Sequence, residues 1–480
     1  MSVVIRIAKH TTLTGVFVFM LSLLTSAQIF TTLLNFDGTN GAHPEFVTLT
    51  QDRSGNLWGT TADGGYFNYG TVFHVTPDGV SNTVLNFNKP QGTVPYTGLT
   101  LAKDGSLYGV TTTNGTYYAG TVFKLSSLGH LTILYAFNGS ELGLGVEGAP
   151  VQGADGNFYG AASSGGRSCG DYTCGTAFKI TTSGALTDIY EFAGTYGSAP
   201  VGGLVQGVDG NLYGTAVLGG TGNCGNYGCG TIFRLSTSGV FKLLHNFSFS
   251  DGSGPNGGLI QGADGNFYGT TEGGGANGWG TVFAITPEGA LTTLYNFTDG
   301  PDGGDPAGPL VQGSDGNLYG TAFIGGNFSC HEGCGTVFQL TLSGALTTLH
   351  SFAGFDGSAP LGGLVQHTNG VFYGTTCGGD FNNCPYGSGD GTVFSLDMGL
   401  PPFITFVNKF GRIGAGVQIL GQNLTGTTSV TFNGIPATSF SVVSDTFMTA
   451  VVPAGATSGP VQVTTPTGTL NSNVNFQVRP

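Results

Sequence analysis

Gly55-Asn56-Leu57-Trp58-Gly59 returns as Gly105-Ser106-Leu107-Tyr108-Gly109 and as Gly156-Asn157-Phe158-Tyr159-Gly160, and the phrase comes back around Tyr213, Tyr268, Tyr319 and Tyr373. The seven aromatic residues stand 50, 51, 54, 55, 51 and 54 positions apart. A recurring period of this length marks an array of supersecondary units that bury their apolar faces against one another. Each unit holds four short runs rich in Val, Phe, Tyr, Leu and Thr. In the sixth they are residues 309–312, 317–321, 336–341 and 346–352, here called a, b, c and d. Asp315-Gly316 and Ser343-Gly344 supply the a–b and c–d turns. The runs read as antiparallel strands joined by tight turns. No segment carries a 3.6-residue period, so helices are expected to be few.

Val337 and Phe338 are neighbours in run c and point to opposite faces of their sheet. A sheet that is apolar on both faces needs a neighbour on each side. Seven four-stranded sheets stacked around an axis meet that need, so an all-β, seven-bladed β-propeller is expected. The array opens at residues 31–36 with a copy of run d, and closes at residues 392–396 with a copy of run c. The leading strand would therefore complete the last blade, whereas an open solenoid would want capping repeats.

The phrase Asp-Gly-Asn-Leu-Tyr-Gly-Thr, a Gly-rich stretch, Gly-Thr-Val-Phe and then Leu-Thr-Thr-Leu-Tyr-Asn-Phe resembles the bacterial GloVer tandem repeat over residues 31–396. That resemblance implies an exported protein of the choice-of-anchor kind, with an accessory C-terminal module, and lends no catalytic residue. Kelch repeats are similar in length and in their Gly doublets, but here Gly219-Gly220 and Gly325-Gly326 follow the Tyr.

Residues 398–402 read as a linker. Beyond them the repeat stops, and seven strand-like runs follow at 403–407, 416–420, 429–433, 437–443, 447–452, 461–465 and 474–478. That spacing suggests an Ig-like β-sandwich. Ile419-Leu420-Gly421-Gln422-Asn423-Leu424, Val430-Thr431-Phe432-Asn433-Gly434 and Val452-Pro453-Ala454-Gly455 resemble the IPT/TIG domain, here over residues 403–480. The propeller is assigned to residues 28–397. Residues 1–27 read as a secretory signal peptide: Arg6 and Lys9, then an apolar run at 16–24, then Thr25-Ser26-Ala27. That run is shorter than the ~20 residues a membrane span needs. A secreted or cell-surface location is expected, with no transmembrane segment after cleavage.

The chain has 88 glycines in 480 residues and only 8% charged residues, yet 11% are aromatic, which excludes a disordered chain. The formal charge of −14 argues against a nucleic-acid partner held through phosphates. No Lys or Arg occurs between Leu243 and Asn408, so the acidic charge gathers on one sector. Asp299, Asp302 and Asp305 form a candidate Ca²⁺ loop without EF-hand spacing; no other cofactor is implied. All eight cysteines lie in the four longest b–c connections, as Cys169/Cys174, Cys224/Cys229, Cys330/Cys334 and Cys377/Cys384. Disulfides within each loop are the simplest reading for an exported protein, with zinc the weaker alternative.

Run a carries Gln51, Gln152, Gln206, Gln261, Gln312 and Gln366, with Leu101 in the second unit. These amides could line a channel, or cross-link blades through the backbone, which is the reading preferred here. Asp104, Asp155, Asp209, Asp264 and Asp315 read as turn residues. Gly166-Arg167-Ser168-Cys169-Gly170 matches the nucleophile-elbow pattern but sits in a Gly-rich loop. His331-Glu332 and His367 are weak signals for chemistry. The expected function is therefore a non-catalytic extracellular binding scaffold for a glycan or a protein. A propeller enzyme, a polysaccharide lyase or hydrolase, is the alternative. The expected ligand contacts are the non-repeat aromatics of the variable loops: Tyr66, Tyr69, Tyr117, Tyr118, Tyr172, Tyr227, Trp279 and Tyr386.

Overall fold

The computed structural model describes residues 28–138, 145–168, 174–327, 329–330, 333–378 and 389–479. The expectations for the signal peptide, Cys169, Tyr172, His331-Glu332, Cys384 and Tyr386 fall outside these residues. The fold is all-β and propeller-like. Four-stranded antiparallel sheets follow one another along the chain, each a meander in strand order a-b-c-d. In the sixth, the strands are Val311–Gln312, Leu318–Ala322, Thr336–Leu340 and Leu346–Ser351, within two residues of the expected runs. The last sheet differs: its outer strand is Ile29–Asn35, paired antiparallel with Thr392–Asp397.

The repeated phrase has a local cause. Asp315 Oδ1 accepts from the Asn317 backbone N–H at 3.2 Å, and Oδ2 accepts from the Tyr319 hydroxyl at 2.8 Å. One carboxylate thus shapes the turn and satisfies the polar tip of a fully buried tyrosine. The following glycine is required by packing. A Cβ on Gly320 would stand 2.6 Å from Cζ of Phe338 on the neighbouring strand. A register shift between Val337 and Phe338 marks a bulge in the c–d pairing, and the other sheets repeat it. Such bulges strengthen the twist that lets sheets stack face to face.

The apolar clusters bridge successive sheets. Val337 packs with Phe372, Phe394 and Leu396 of the next sheet, while Phe338 packs with Val282 and Phe297 of the preceding one. A further cluster joins Tyr373 and Val393 of the last sheet to Leu57, Phe73 and Val75 of the first, so the stacking closes on itself. The glutamines reinforce these contacts. Gln206 Oε1 accepts from Ala154 N in the preceding sheet's a–b turn at 2.9 Å, and its Nε2 donates to Gly210 O in its own turn at 2.9 Å. Gln152, Gln261, Gln312 and Gln366 repeat the pattern, and Gln51 makes the equivalent link to Thr368.

Beyond residue 397, two more four-stranded sheets share one core. Val417, Ile419 and Met448 of one sheet meet Val430, Phe432, Val461 and Val463 of the other. The expected strand at 474–478 is Gln477–Arg479, and it pairs in parallel with Phe410–Arg412, which the sequence reading missed. Gly468–Asn471 was missed as well. Each of the two holds a single large apolar residue, Phe410 or Leu470, so neither shows an alternation.

Gln206→Leu should strand Ala154 N and Gly210 O without partners. The expected cost is about 1–3 kcal/mol, read as a lower urea midpoint. An unchanged midpoint would show that the amides cross-link nothing of consequence.

Candidate ligand-binding site

Each d–a connection runs to the axis before the two-residue inner strand. It commonly reads Pro-X-Gly-Gly-Leu, as in Pro200–Leu204 and Pro255–Leu259. The glycines are set by crowding, because a Cβ on Gly202 would stand 2.7 Å from Asn256 O and one on Gly257 2.6 Å from Gly308 O. Backbones of successive connections therefore touch, and X is the residue left to present a side chain at the axis. X stands five residues before the inner-strand Gln or Leu101, whether or not a proline precedes it; it is Phe46, Tyr96, Glu147, Val201, Asn256 and Ala307 around a cavity of about 290 Å³, and Leu361 in the last unit.

This ring of residues is chemically lopsided. Phe46 and Tyr96 form an aromatic pair with centroids 5.2 Å apart. Behind them lies Glu45, a buried residue whose carboxylate accepts from the Tyr96 hydroxyl. Ser163 Oγ lies 3.1 Å from Glu147 Oε1, and Asn256 Nδ2 donates to Glu272 Oε1 at 2.7 Å. Val201 and Ala307 form an apolar arc, with Leu204, Leu259 and Pro309 beside them. Among the described residues, no Lys, Arg or His lines the cavity. Burial pushes the carboxyls of Glu45, Glu147 and Glu272 above the usual glutamate range, although Tyr96, Ser163 and Asn256 each pull the other way. Burial and the Glu45 carboxylate push the Tyr96 phenol up.

The sequence reading did not single out these groups. Their signal is that the position five residues before the inner-strand Gln or Leu101 changes character from unit to unit, while the rest of the repeat stays nearly constant. The described aromatics chosen from sequence lie on the b–c loops of the same end, outside the cavity. Bridges such as Ser253↔Gly273 tie those loops to the d–a connections. Tyr66, Tyr117, Tyr118 and Tyr227 are exposed, and Trp279 is 40% exposed. Tyr69 is half-buried, packs against the core below it, and has the Lys89 ammonium 5.6 Å from its ring centre.

The structure does not bring Asp299, Asp302 and Asp305 together as a cation loop. Asp302 accepts from Tyr295 Oη and Thr298 N, both at 3.0 Å, and so serves its own turn. Among the described residues no group of three His, Cys, Asp or Glu side chains could hold a metal ion. Cys224–Cys229 and Cys330–Cys334 form disulfides within their loops. Cys174 and Cys377 are also disulfide-bonded.

The family model described as the Gloeobacter/Verrucomicrobia repeat matches residues 14–168 and 219–441. The chain belongs to this Gloeobacter/Verrucomicrobia repeat family. No curated protein matches it. Among solved structures it is similar to luciferin-regenerating enzyme, at 15% identity over 64% of this chain and 92% of that one, with a TM-score of 0.42. It is similar to puromycin hydrolase, at 15% identity over 72% and 52%, with a TM-score of 0.47. It is also similar to the extracellular domain of a B. thetaiotaomicron protein, at 10% identity over 95% and 58%, with a TM-score of 0.47. The cavity of this family member is therefore read from its own residues.

The raised carboxyls carry a stability consequence. Glu45, Glu147 and Glu272 hold their protons more tightly folded than unfolded. Stability should therefore fall as pH rises from the ordinary glutamate value of 4.5 through the raised folded values. Glu272→Gln keeps an acceptor for Asn256, so it should raise the Tm near neutrality and flatten that decline. A pH profile that matches the parent protein would contradict this.

Proposed function

We propose that residues 28–397 form a seven-bladed β-propeller, that residues 403–480 form an Ig-like domain of the IPT/TIG kind, and that this is an exported, non-catalytic scaffold whose axial cavity binds a neutral glycan. The observation that carries the ligand class is the lopsided ring. Phe46 and Tyr96 offer apolar faces for a sugar ring, while Glu147 and Asn256 offer acceptors and donors for hydroxyls. The lack of any cation among the described residues of the lining disfavours phosphates and acidic sugars there. At about 290 Å³ the cavity lies near the lower end of small-molecule pockets, roughly 300–1,000 Å³, which suits a terminal sugar unit. Tyr66, Tyr117, Tyr118, Tyr227 and Trp279 would extend contacts outward along the rim. Loop disulfides, and the lack among the described residues of a helix long and apolar enough to cross a membrane, are compatible with export.

A hydrolase acting on polysaccharide is the second reading, favoured by the raised carboxyls of Glu147 and Glu272, since a glycosidase needs an acid that keeps its proton. One experiment separates the two: a glycan array on the mature protein, followed by incubation of any bound glycan. Tyr96→Ala and Glu147→Ala should each weaken binding about tenfold or more, ~1.4 kcal/mol, with the glycan recovered intact. Trp279→Ala and Tyr118→Ala should weaken it less. Product release lost in Glu147→Gln would favour the hydrolase. Binding untouched by the axial variants, or confined to the C-terminal domain, would overturn the site.

A further inference from the structure

The 13 Lys and Arg residues of this acidic chain are not spread evenly. Arg53, Lys103, Lys409, Arg412 and Arg479 meet at the other end of the stacked sheets, where residues beyond 402 dock on the a–b turns. The docking uses polar contacts. Arg53 Nη2 donates to Gln418 Oε1 at 2.8 Å, Gln418 Nε2 to Lys103 O at 2.8 Å, and Thr368 Oγ1 to Gly421 O at 3.1 Å. Arg479 Nη2 donates to Gly207 O at 3.3 Å. A cavity of about 550 Å³ remains between the two parts, with Lys103, Arg412 and Arg479 in its wall. Lys409 lines a smaller one beside it.

Among the described residues, none of these five cations forms an ion pair. The Nε of Arg479 is buried with no hydrogen-bond partner. Lys409 Nζ and the Arg479 guanidinium lie 5.7 and 4.6 Å from the ring centre of Phe410. Nearby carboxylates are already occupied. Asp155, in the wall of the larger cavity, accepts from Asn157 and Tyr159, and Asp264, beside Lys409, accepts from Asn266 and Tyr268. Asp209 attracts Arg479 at longer range, but its oxygens are held by Asn211 and Tyr213. Their field helps the C-terminal part to dock. It supplies no oxygen to Lys409, whose charged neighbour is Arg479. Burial and that like charge pull the lysine down to about 8. Two partly buried cations side by side, with no carboxylate bonded to either, are costly unless an anion joins them.

We propose that this junction is an anion site, in which Lys409 and Arg479, with Lys103 and Arg412 at the wall, bind an oxyanion: phosphate, sulfate or a sugar carboxylate. The Arg479 fork has the geometry for two parallel bonds to such a group, and Lys409 adds a compact charge. The site is separate from the axial cavity, whose described lining holds no cation, and it does not rest on the glycan reading.

The test is calorimetry on the full chain at low salt with inorganic phosphate, sulfate and glucuronate as separate titrants, and chloride as the control. At least one oxyanion should saturate a single site. Lys409→Met and Arg479→Gln should each weaken it about tenfold or more, Arg479→Lys less, and Lys242→Met, an exposed lysine outside both cavities, not at all. The titrant bound most tightly assigns the source. Without oxyanion, Lys409→Met should melt above the parent protein, and the saturating anion should erase that difference. If none of the three oxyanions binds beyond chloride, or if Lys409→Met and Arg479→Gln bind as the parent does, the proposal is wrong. A Lys409→Met protein that melts below the parent in anion-free buffer would also count against it, because it would show that the lysine already has its partner.

Discussion

Each repeat sheet carries apolar side chains on both faces, and the rest of the architecture depends on that. Val337 and Phe338 are adjacent in one strand yet belong to different clusters, one shared with the following sheet and one with the preceding sheet. Neither face can be left to water, so a finite row of such sheets would expose two apolar ends. Cyclic stacking removes both ends. It also explains why the chain must spend its first described strand, Ile29–Asn35, on the last sheet. A cycle crowds its own axis, and so glycine is needed where one inner connection meets the next.

Against this uniform background, the departures from the repeat are where specific contacts are made. Gln becomes Leu101 in the second unit, and Leu101 packs with Leu420 and Phe447 of the C-terminal part. Arg53 lies over the Phe447 ring, its guanidinium carbon 4.7 Å from the centroid. His367 stands where the third to sixth units have Gly, and its Nε2 meets Gly55 O at 3.1 Å across the seam between last and first sheets. Thr368, beside it, contacts Gln51 of the first sheet and Gln422 of the C-terminal part. At the opposite end, the departures are Phe46, Tyr96, Glu147 and Asn256, which give the axial cavity its aromatic pair and its polar arc.

The strands, their turns and the closing strand were legible in the sequence, because each rests on a short pattern repeated many times. The glutamine links were legible for the same reason: one residue type at one register in six units calls for a common backbone partner. The axial groups were not. Each sits in a connection between patterned strands, and its position matters only once neighbouring connections converge in space. Choosing exposed aromatics such as Tyr118 and Tyr66 found side chains at the rim rather than in the cavity. The cation junction was hidden for a related reason. Arg53 and Arg479 are more than four hundred residues apart, and no local pattern announces that the C-terminal part folds back onto the a–b turns.

Native-state amide exchange along the seam tests cyclic closure most directly. Amides of Thr392–Asp397 should be protected to within about tenfold of those in Thr336–Leu340, because both are interior strands of four-stranded sheets flanked by packed neighbours. If Thr392–Asp397 exchanges orders of magnitude faster, at the rate of a frayed edge, then Ile29–Asn35 does not complete the last sheet and the stack is open.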